Sequence, residues 1–284
     1  MSFQQITIVG VGLIGGSFGL AARQAGFRGR ITGCDRPEVL ARACRCGAID
    51  SGEPELAAAV RGSDLILLAT PVGTIIDLLE QAPIFPQDAL ITDVGSTKQA
   101  IVERARAVLG AAAPQRFLPG HPMAGKELSG VEQAEAGLFR QAVWLITPMP
   151  RQEVTSGSIA AFLALVERMG AGVVQMEIER HDRLCAWISH LPQMLATALG
   201  ATLEEEFGDD PELHAIGGRA LREMTRIASS PYSMWRDIAL TNTGNIQEAV
   251  LRLEQRLAYI RENLRTRALA EEFEQAQKFR RSNR

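Results

Sequence analysis

Short, nearly unbroken apolar runs alternate with amphipathic stretches over the first half of the chain. The runs at 4–10, 30–35, 64–69, 89–94, 116–119 and 143–147 are rich in Ile, Leu and Val, which predicts strands buried on both faces. Between them, 13–25, 37–46, 54–60, 73–81 and 97–109 carry helical patterns. Such βαβ alternation predicts an α/β domain with a parallel sheet covered by helices. Right-handed crossovers then bring the carboxyl end of every strand to one edge. The character changes after Pro148-Met149-Pro150. A helix at 156–169 and a strand at 172–176 are predicted next. From 177 the pattern is helical almost to the end, in segments 177–206, 211–228, 231–265 and 266–281. We therefore expect a boundary near 150, dividing an α/β domain (1–150) from an all-α helical domain (151–284).

The first strand runs into Gly10-x-Gly12-x-x-Gly15, with Leu13 and Ile14 where the first helix opens, and the second strand ends on Asp35. Strand, glycines, helix, strand and acid in this order form the dinucleotide fingerprint of a Rossmann-type, doubly wound sheet. Gly10 permits the tight turn, Gly12 lets the backbone approach a pyrophosphate, and Gly15 brings helix and strand together. The helix N-terminus holds the phosphates. Asp35 is expected to bond the ribose hydroxyls and repel a 2′-phosphate, which favours NAD. Arg36 would contact that phosphate if Asp35 turned away, so NADP stays open. The bland alternative is a glycine-rich turn without a ligand.

Composition narrows the partners. With 46% hydrophobic and 22% charged residues the chain can bury a sizeable core, and a net charge of −3 argues against a nucleic-acid surface. The basic run Lys278-Phe279-Arg280-Arg281 reads as a solvated end. We expect no membrane span and, without a basic leader, no signal peptide. Cys34, Cys44, Cys46 and Cys185 show no disulfide-framework spacing, and Cys44-x-Cys46 is too close for the usual zinc pairs. They read as reduced thiols in a cytoplasmic protein without a metal.

Ligands of such sheets bind beyond the strand ends, which singles out three turns. Thr70-Pro71-Val72 is expected to border the cofactor. Asp93-Val94-Gly95-Ser96-Thr97-Lys98 opens another helix, where Ser96 is either a ligand contact or an N-cap. Lys98 either serves a ligand or extends into water. Gly120-His121-Pro122-Met123-Ala124-Gly125 is followed by Glu127. His121 at a strand end suits proton removal from a hydroxyl during hydride transfer, the alternative being a structural turn histidine. In the second half, His181 and His190 are nine residues apart, which puts them on opposite faces of a straight helix. His190 is either a satisfied core histidine or a functional one, and His214 has no supporting context. Arg222 and Arg226 share a helix face with Arg219 nearby, suited to a carboxylate or simply solvated. Arg236 and Asp237 read as structural.

Only three lysines occur, Lys98, Lys126 and Lys278, and none lies in the main helices of the second half. This departs from two-domain β-hydroxyacid dehydrogenases, which use a lysine there. Five segments instead resemble the prephenate/arogenate dehydrogenases of tyrosine biosynthesis: GVGLIGGS (10–17), DVGSTK (93–98), GHPMAGKELSG (120–130), HDRLCAWISHLP (181–192) and TRIASSPYSMWRDI (225–238). The resemblance runs in order from residue 6 to about 240. It implies NAD(P)-dependent oxidative decarboxylation of prephenate, arogenate or both, without a metal. It also implies a homodimer formed by the helical domains. By motif, His121 polarises the ring hydroxyl and Ser96 bonds to it or to the substrate. Glu127 stands at the mouth, His190 helps hold the substrate, and Arg226 grips a carboxylate. One departure is Gln193, where many members carry a histidine after SHLP. The rivals are a dehydrogenase of a small hydroxy acid, which leaves the second-half motifs unexplained, and a non-catalytic nucleotide sensor, which leaves His121, His190 and Arg226 without a shared purpose.

Overall fold

The computed structural model describes residues 3–282. Its first half runs β1 (Gln5–Val9), α1 (Leu13–Gln24), β2 (Arg30–Cys34), α2 (Pro37–Arg45), β3 (Ser51–Gly52), α3 (Leu56–Ala59), β4 (Leu65–Leu68), α4 (Val72–Glu80), β5 (Leu90–Asp93), α5 (Gln99–Leu109), α6 (Ala113–Arg116) and β6 (Phe117–Leu118). These six strands form one sheet in the order β3-β2-β1-β4-β5-β6, with every pair parallel. The order reverses between β1 and β4, which opens a crevice at their carboxyl ends. Alternation along the strands feeds two cores. Ile6, Ile8, Leu65 and Leu67 face one layer; Val9, Ile66, Leu68 and Ile91 face the other. This is the expected doubly wound α/β sheet.

Two expectations need correction. The segment 143–147 does not join the main sheet. Pro119 has no N–H, so the ladder stops after the two residues of β6. The chain turns into a second, three-stranded sheet of β7 (Gly120–Pro122), β8 (Val143–Ile146) and β9 (Gly172–Gln175). In it β7 is antiparallel to β8, and β8 parallel to β9. The boundary at 150 also moves. Helix α7 (Gly157–Arg168) inserts Phe162 against Trp144 (ring centroids 5.8 Å) and Phe18 (6.3 Å), inside the core of the first half. Apolar burial therefore ties 157–175 to the nucleotide half, and the division falls at about residue 176.

The rest is helical: α8 (Ile178–Cys185), a π-helical turn (Ala186–His190), α9 (Leu191–Phe207), α10 (Pro211–Ile216), α11 (Arg219–Thr225), a 3₁₀ turn (Arg226–Ser229), α12 (Tyr232–Thr241), α13 (Thr243–Glu262) and α14 (Ala268–Ser282). The segments read as continuous are broken for local reasons. Gly217-Gly218 separates α10 from α11. Pro192 lacks the N–H that would bond back to Ile188, and the helix widens there by a π turn. Within one chain this half buries little: Ala186, Ile238 and Ile246 pack with Met194, Trp235 and Val250. Ile216, Tyr232, Leu240 and Phe279 remain largely exposed.

Candidate active site

Helices α1, α4 and α5 begin at the carboxyl ends of β1, β4 and β5, and their N-termini are treated differently. Helix α4 is capped from the helical half, because Gly73 N donates to Asp237 Oδ2 (2.9 Å). Helix α5 is capped the same way: Lys98 N and Gln99 N donate to the two carboxylate oxygens of Asp182 (2.7 and 2.9 Å). Helix α1 has no side-chain cap and no acid in its first turn. Its N–H groups and positive end are free to hold an anion.

The glycines explain the approach. Gly10 has φ +92°, and a Cβ on it would meet Ala69 O at 2.6 Å. A Cβ on Gly15 would meet Gly10 O at 2.1 Å, whereas one on Gly12 would meet nothing within 4 Å. The first and third glycines thus pack the turn, and the second faces open space. Asp35 directly follows β2, with Oδ2 accepting from Val11 N (2.8 Å) and Oδ1 from Arg36 N (2.7 Å), which fastens the loop. The Arg36 side chain is exposed and pairs with Glu38 (3.5 Å). An uncapped helix, a clear approach and a carboxylate at the β2 end fit a dinucleotide.

A cleft of about 710 Å³ lies between this edge and the helical half. Leu13, Ile14, Thr70, Pro71, Ser96, His121, Glu127, Gln193 and Arg226 all line it. His190 does not reach it, nor do Gly10, Gly12, Gly15, Asp35 and Arg36, which shape the nucleotide turn beside it. Ser96 faces the cleft and does not cap α5, so its N-cap reading is replaced by Asp182.

His121 is buried on β7, where both backbone groups of Gly120 are clamped. Gly120 N donates to Asp93 Oδ1 (3.1 Å), and Lys98 Nζ donates to Gly120 O (2.8 Å) and to Asp93. Lys98 is fully buried in this pair rather than extended into water. Behind the imidazole runs a relay: His181 Nδ1 is 2.8 Å from Asp182 Oδ1, and His181 Nε2 is 2.9 Å from His121 Nδ1. The carboxylate only accepts, so His181 carries its proton on Nδ1 and presents a lone pair at Nε2. His121 must then donate from Nδ1, which leaves Nε2 as a free acceptor. Burial, followed by the neighbouring His181, Lys98 and His190, holds the His121 pKa well below 6.5, so the ring stays neutral. The chemical capacity of the site is therefore that of an uncharged, oriented general base.

At the mouth, Arg226 Nη1 donates to Glu127 Oε2 (3.1 Å), both side chains reaching solvent. The Glu127 carboxyl is held below its usual range by its own backbone N–H first, then by Arg226. Gln193 is buried and donates to Thr197 Oγ1 (3.2 Å). His190 packs edge-on against Trp235 (5.9 Å) and lies 3.2 Å from Asn242 Nδ2, which also donates to Asp182 O (2.8 Å). It supports the wall instead of forming it. Arg219 pairs with Glu223 on the surface, as a solvated basic face would. The His214 side chain lies outside the described residues.

Sequence reasoning missed His181, Asp182 and Asn242. A straight helix would put His181 and His190 on opposite faces, but the π turn between them underwinds the helix. Both rings then reach one network through Asp182 and Asn242. Adjacent His-Asp ahead of a proline-interrupted helix was the available signal.

Buried neutral histidines make stability depend on pH. Burial lowers the pKa of His190 to about 4 and that of His181 and His121 below 6.5. Below 6.5 the unfolded chain binds protons that the folded chain refuses, so stability falls as pH drops from 6.5 and this loss ends near the folded pKa. From His190 alone we expect about 2 kcal/mol lost between pH 6.5 and 5. Urea midpoints at the two pH values check this; equal midpoints would contradict it.

Comparison with known proteins adds the family context. The nucleotide-binding domain model of prephenate dehydrogenase matches residues 18–175, and the dimerization domain model matches 177–279. The prephenate dehydrogenase of Bacillus subtilis (strain 168) is 36% identical over 246 residues, 85% of this chain. The match spans 65% of that relative's length. The crystal structure of prephenate dehydrogenase from A. aeolicus, in complex with hydroxyphenyl propionate and NAD+, aligns with a TM-score of 0.88. It is 33% identical and covers 100% of this chain and 99% of that one. The crystal structure of Synechocystis arogenate dehydrogenase aligns at 0.78 with 26% identity, covering 99% and 100%.

Proposed function

The chain belongs to the prephenate dehydrogenase family, and on that premise we propose that it oxidatively decarboxylates prephenate, arogenate or both, with NAD as acceptor. The observation that carries this reading is the Asp182–His181–His121 relay, which ends on a free Nε2 in a cleft between an uncapped helix and an arginine.

Gly10, Gly12 and Gly15 with the start of α1 (Leu13, Ile14) hold the NAD pyrophosphate, Asp35 bonds the ribose, and Thr70 and Pro71 border the nicotinamide. The bound nicotinamide supplies a hydride acceptor. His121 Nε2 accepts the ring hydroxyl proton as that carbon becomes a carbonyl. The relay lets positive charge on His121 be stabilised by Asp182 through His181. Ser96 orients the hydroxyl. Arg226 leaves Glu127 to bind the substrate side-chain carboxylate. Aromatisation drives loss of carbon dioxide: the electron pair of the breaking C–C bond closes the aromatic ring, and the former carbonyl oxygen takes back the proton held on His121 Nε2, so no second acid is needed. Gln193, an uncharged amide at the cleft wall, contacts the substrate side chain. His190 holds Trp235 and Asn242 in place.

The carboxylate of Asp35 and the engagement of Arg36 with Glu38 favour NAD over NADP. The exposed Ile216, Tyr232, Leu240 and Phe279 support a homodimer through the helical halves. Among the described residues no helix is long and apolar enough to cross a membrane; with the reduced-thiol reading this supports a cytoplasmic location.

The test is absorbance at the reduced-nicotinamide band with prephenate or arogenate, each crossed with NAD and NADP. Reduction is expected with NAD and at least one acid; none with either acid would refute the activity. For Arg226→Ala we expect KM for the acid to rise about 10- to 100-fold, in line with loss of a charge-assisted carboxylate contact. An unchanged KM would return Arg226 to the solvated surface.

A further inference from the structure

Cys185 takes no part in the chemistry above, yet its thiol lies fully buried against the relay. Sγ is 3.6 Å from His181 Nε2 and 3.9 Å from His121 Nδ1, while the two nitrogens are 2.9 Å apart. A point equidistant from the three atoms lies about 2 Å from each, close to zinc–nitrogen and zinc–sulfur bond lengths of about 2.0–2.3 Å. His181 and Cys185 stand four apart on α8, one turn of helix on a single face. We propose that His121 Nδ1, His181 Nε2 and Cys185 Sγ form a site for a thiophilic divalent cation of the zinc class, and that its occupation switches the catalytic base off.

Three features support the site. Asp182 already bonds His181 Nδ1 at 2.8 Å, the carboxylate–histidine arrangement that orients zinc-ligating imidazoles. The charge also balances. The Asp93 and Asp182 carboxylates and the Lys98 ammonium leave the buried cluster one net negative charge, and a divalent cation with a thiolate adds one positive. The donor set of two nitrogens and a sulfur leaves a fourth position for water, as an open zinc site does. The nitrogens must part by roughly a few tenths of an ångström to admit the ion.

The proton balance explains the inhibition. Binding releases the thiol proton to solvent. The proton on His121 Nδ1 is displaced, and the ring, still neutral, takes its proton at Nε2. The atom facing the cleft then donates and can no longer accept the substrate's hydroxyl proton. The cleft itself stays open, so NAD affinity is expected to remain within about twofold, while kcat falls at least about 100-fold.

This inhibition rests on the role assigned to His121, and the experiment keeps the two apart. Chelator-treated full-length protein is titrated with Cd2+, reading the thiolate-to-cadmium charge-transfer absorption, and in parallel with Zn2+, reading turnover. One equivalent of cadmium should produce the band. Cys185→Ala and Cys185→Ser should each abolish it and weaken zinc inhibition at least about 100-fold. The double variant Cys44→Ser/Cys46→Ser should retain both. Absence of a Cys185-dependent band, or equal zinc inhibition in the Cys185 variants, overturns the proposal. A Cys185-dependent band with undiminished turnover confirms the cation site and overturns His121 as the base.

Discussion

Replacing His121 with asparagine is expected to lower kcat by about 10²–10⁴-fold, the usual contribution of a positioned general base. Asparagine can keep the local structure, since its amide N–H can still donate to His181 Nε2. It offers no basic nitrogen to the cleft. The hydrogen bonds of the His121 side chain run to His181 and Cys185, not to the glycine turn or Asp35, so NAD affinity should hold. The measurement is steady-state kinetics beside a direct cofactor titration. Normal turnover with weakened NAD binding would contradict the role. Because burial holds the His121 pKa well below 6.5, kcat/KM of the native protein should also stay level on acidification until well under that value.

The second large effect is expected from Asp182→Asn, a change of one atom. The native carboxylate accepts three N–H groups: His181 Nδ1, Lys98 N and Gln99 N. His181 Nδ1 and Lys98 N share Oδ1, and Gln99 N uses Oδ2, so an asparagine has two orientations. With its amide N–H₂ at the Oδ2 position it leaves Gln99 N at the α5 N-terminus without an acceptor, at about 1–3 kcal/mol. With the N–H₂ at the Oδ1 position it takes the acceptor from Lys98 N and forces the His181 ring to accept at Nδ1 and donate at Nε2. His121 must then accept at Nδ1 and carry its proton at Nε2, toward the cleft. We expect kcat to fall about 10²–10⁴-fold in that arrangement, with KM for the acid little changed because Arg226 is untouched. A variant with native kcat and native stability would show that the relay carries nothing.

The sheet was legible because its signals are local. Glycine spacing, apolar runs and the acid at the end of β2 each describe a few adjacent residues. The expected doubly wound fold follows from them directly. The site was legible only in part. His121, Ser96, Glu127, Gln193 and Arg226 come together at one cleft although they span 130 positions of sequence. Their gathering was implied by motif resemblance, not by spacing. For a related reason the sequence leaves His190 open between core and site: an isolated histidine among apolar residues carries no sign of which way it points, and here it faces Asn242. The largest omission, the His181–Asp182 pair, traces to treating 177–206 as one regular helix. A proline's missing donor changes the winding, and periodicity arguments then lose phase beyond it. The boundary error was of another kind. Pro148-Met149-Pro150 marks a turn, but Phe162 buries itself against Trp144 across it, and burial decides domain membership.

The two carboxylates that cap α4 and α5 come from the helical half, and they bind its position to the sheet edge. Swinging the halves apart would strip acceptors from Gly73, Lys98 and Gln99 together. The molecule is therefore built against hinge opening: its interlobe angle is set before any ligand arrives. Traffic in and out falls to the exposed rim, where the Glu127–Arg226 pair can part and re-form by rotamer changes alone.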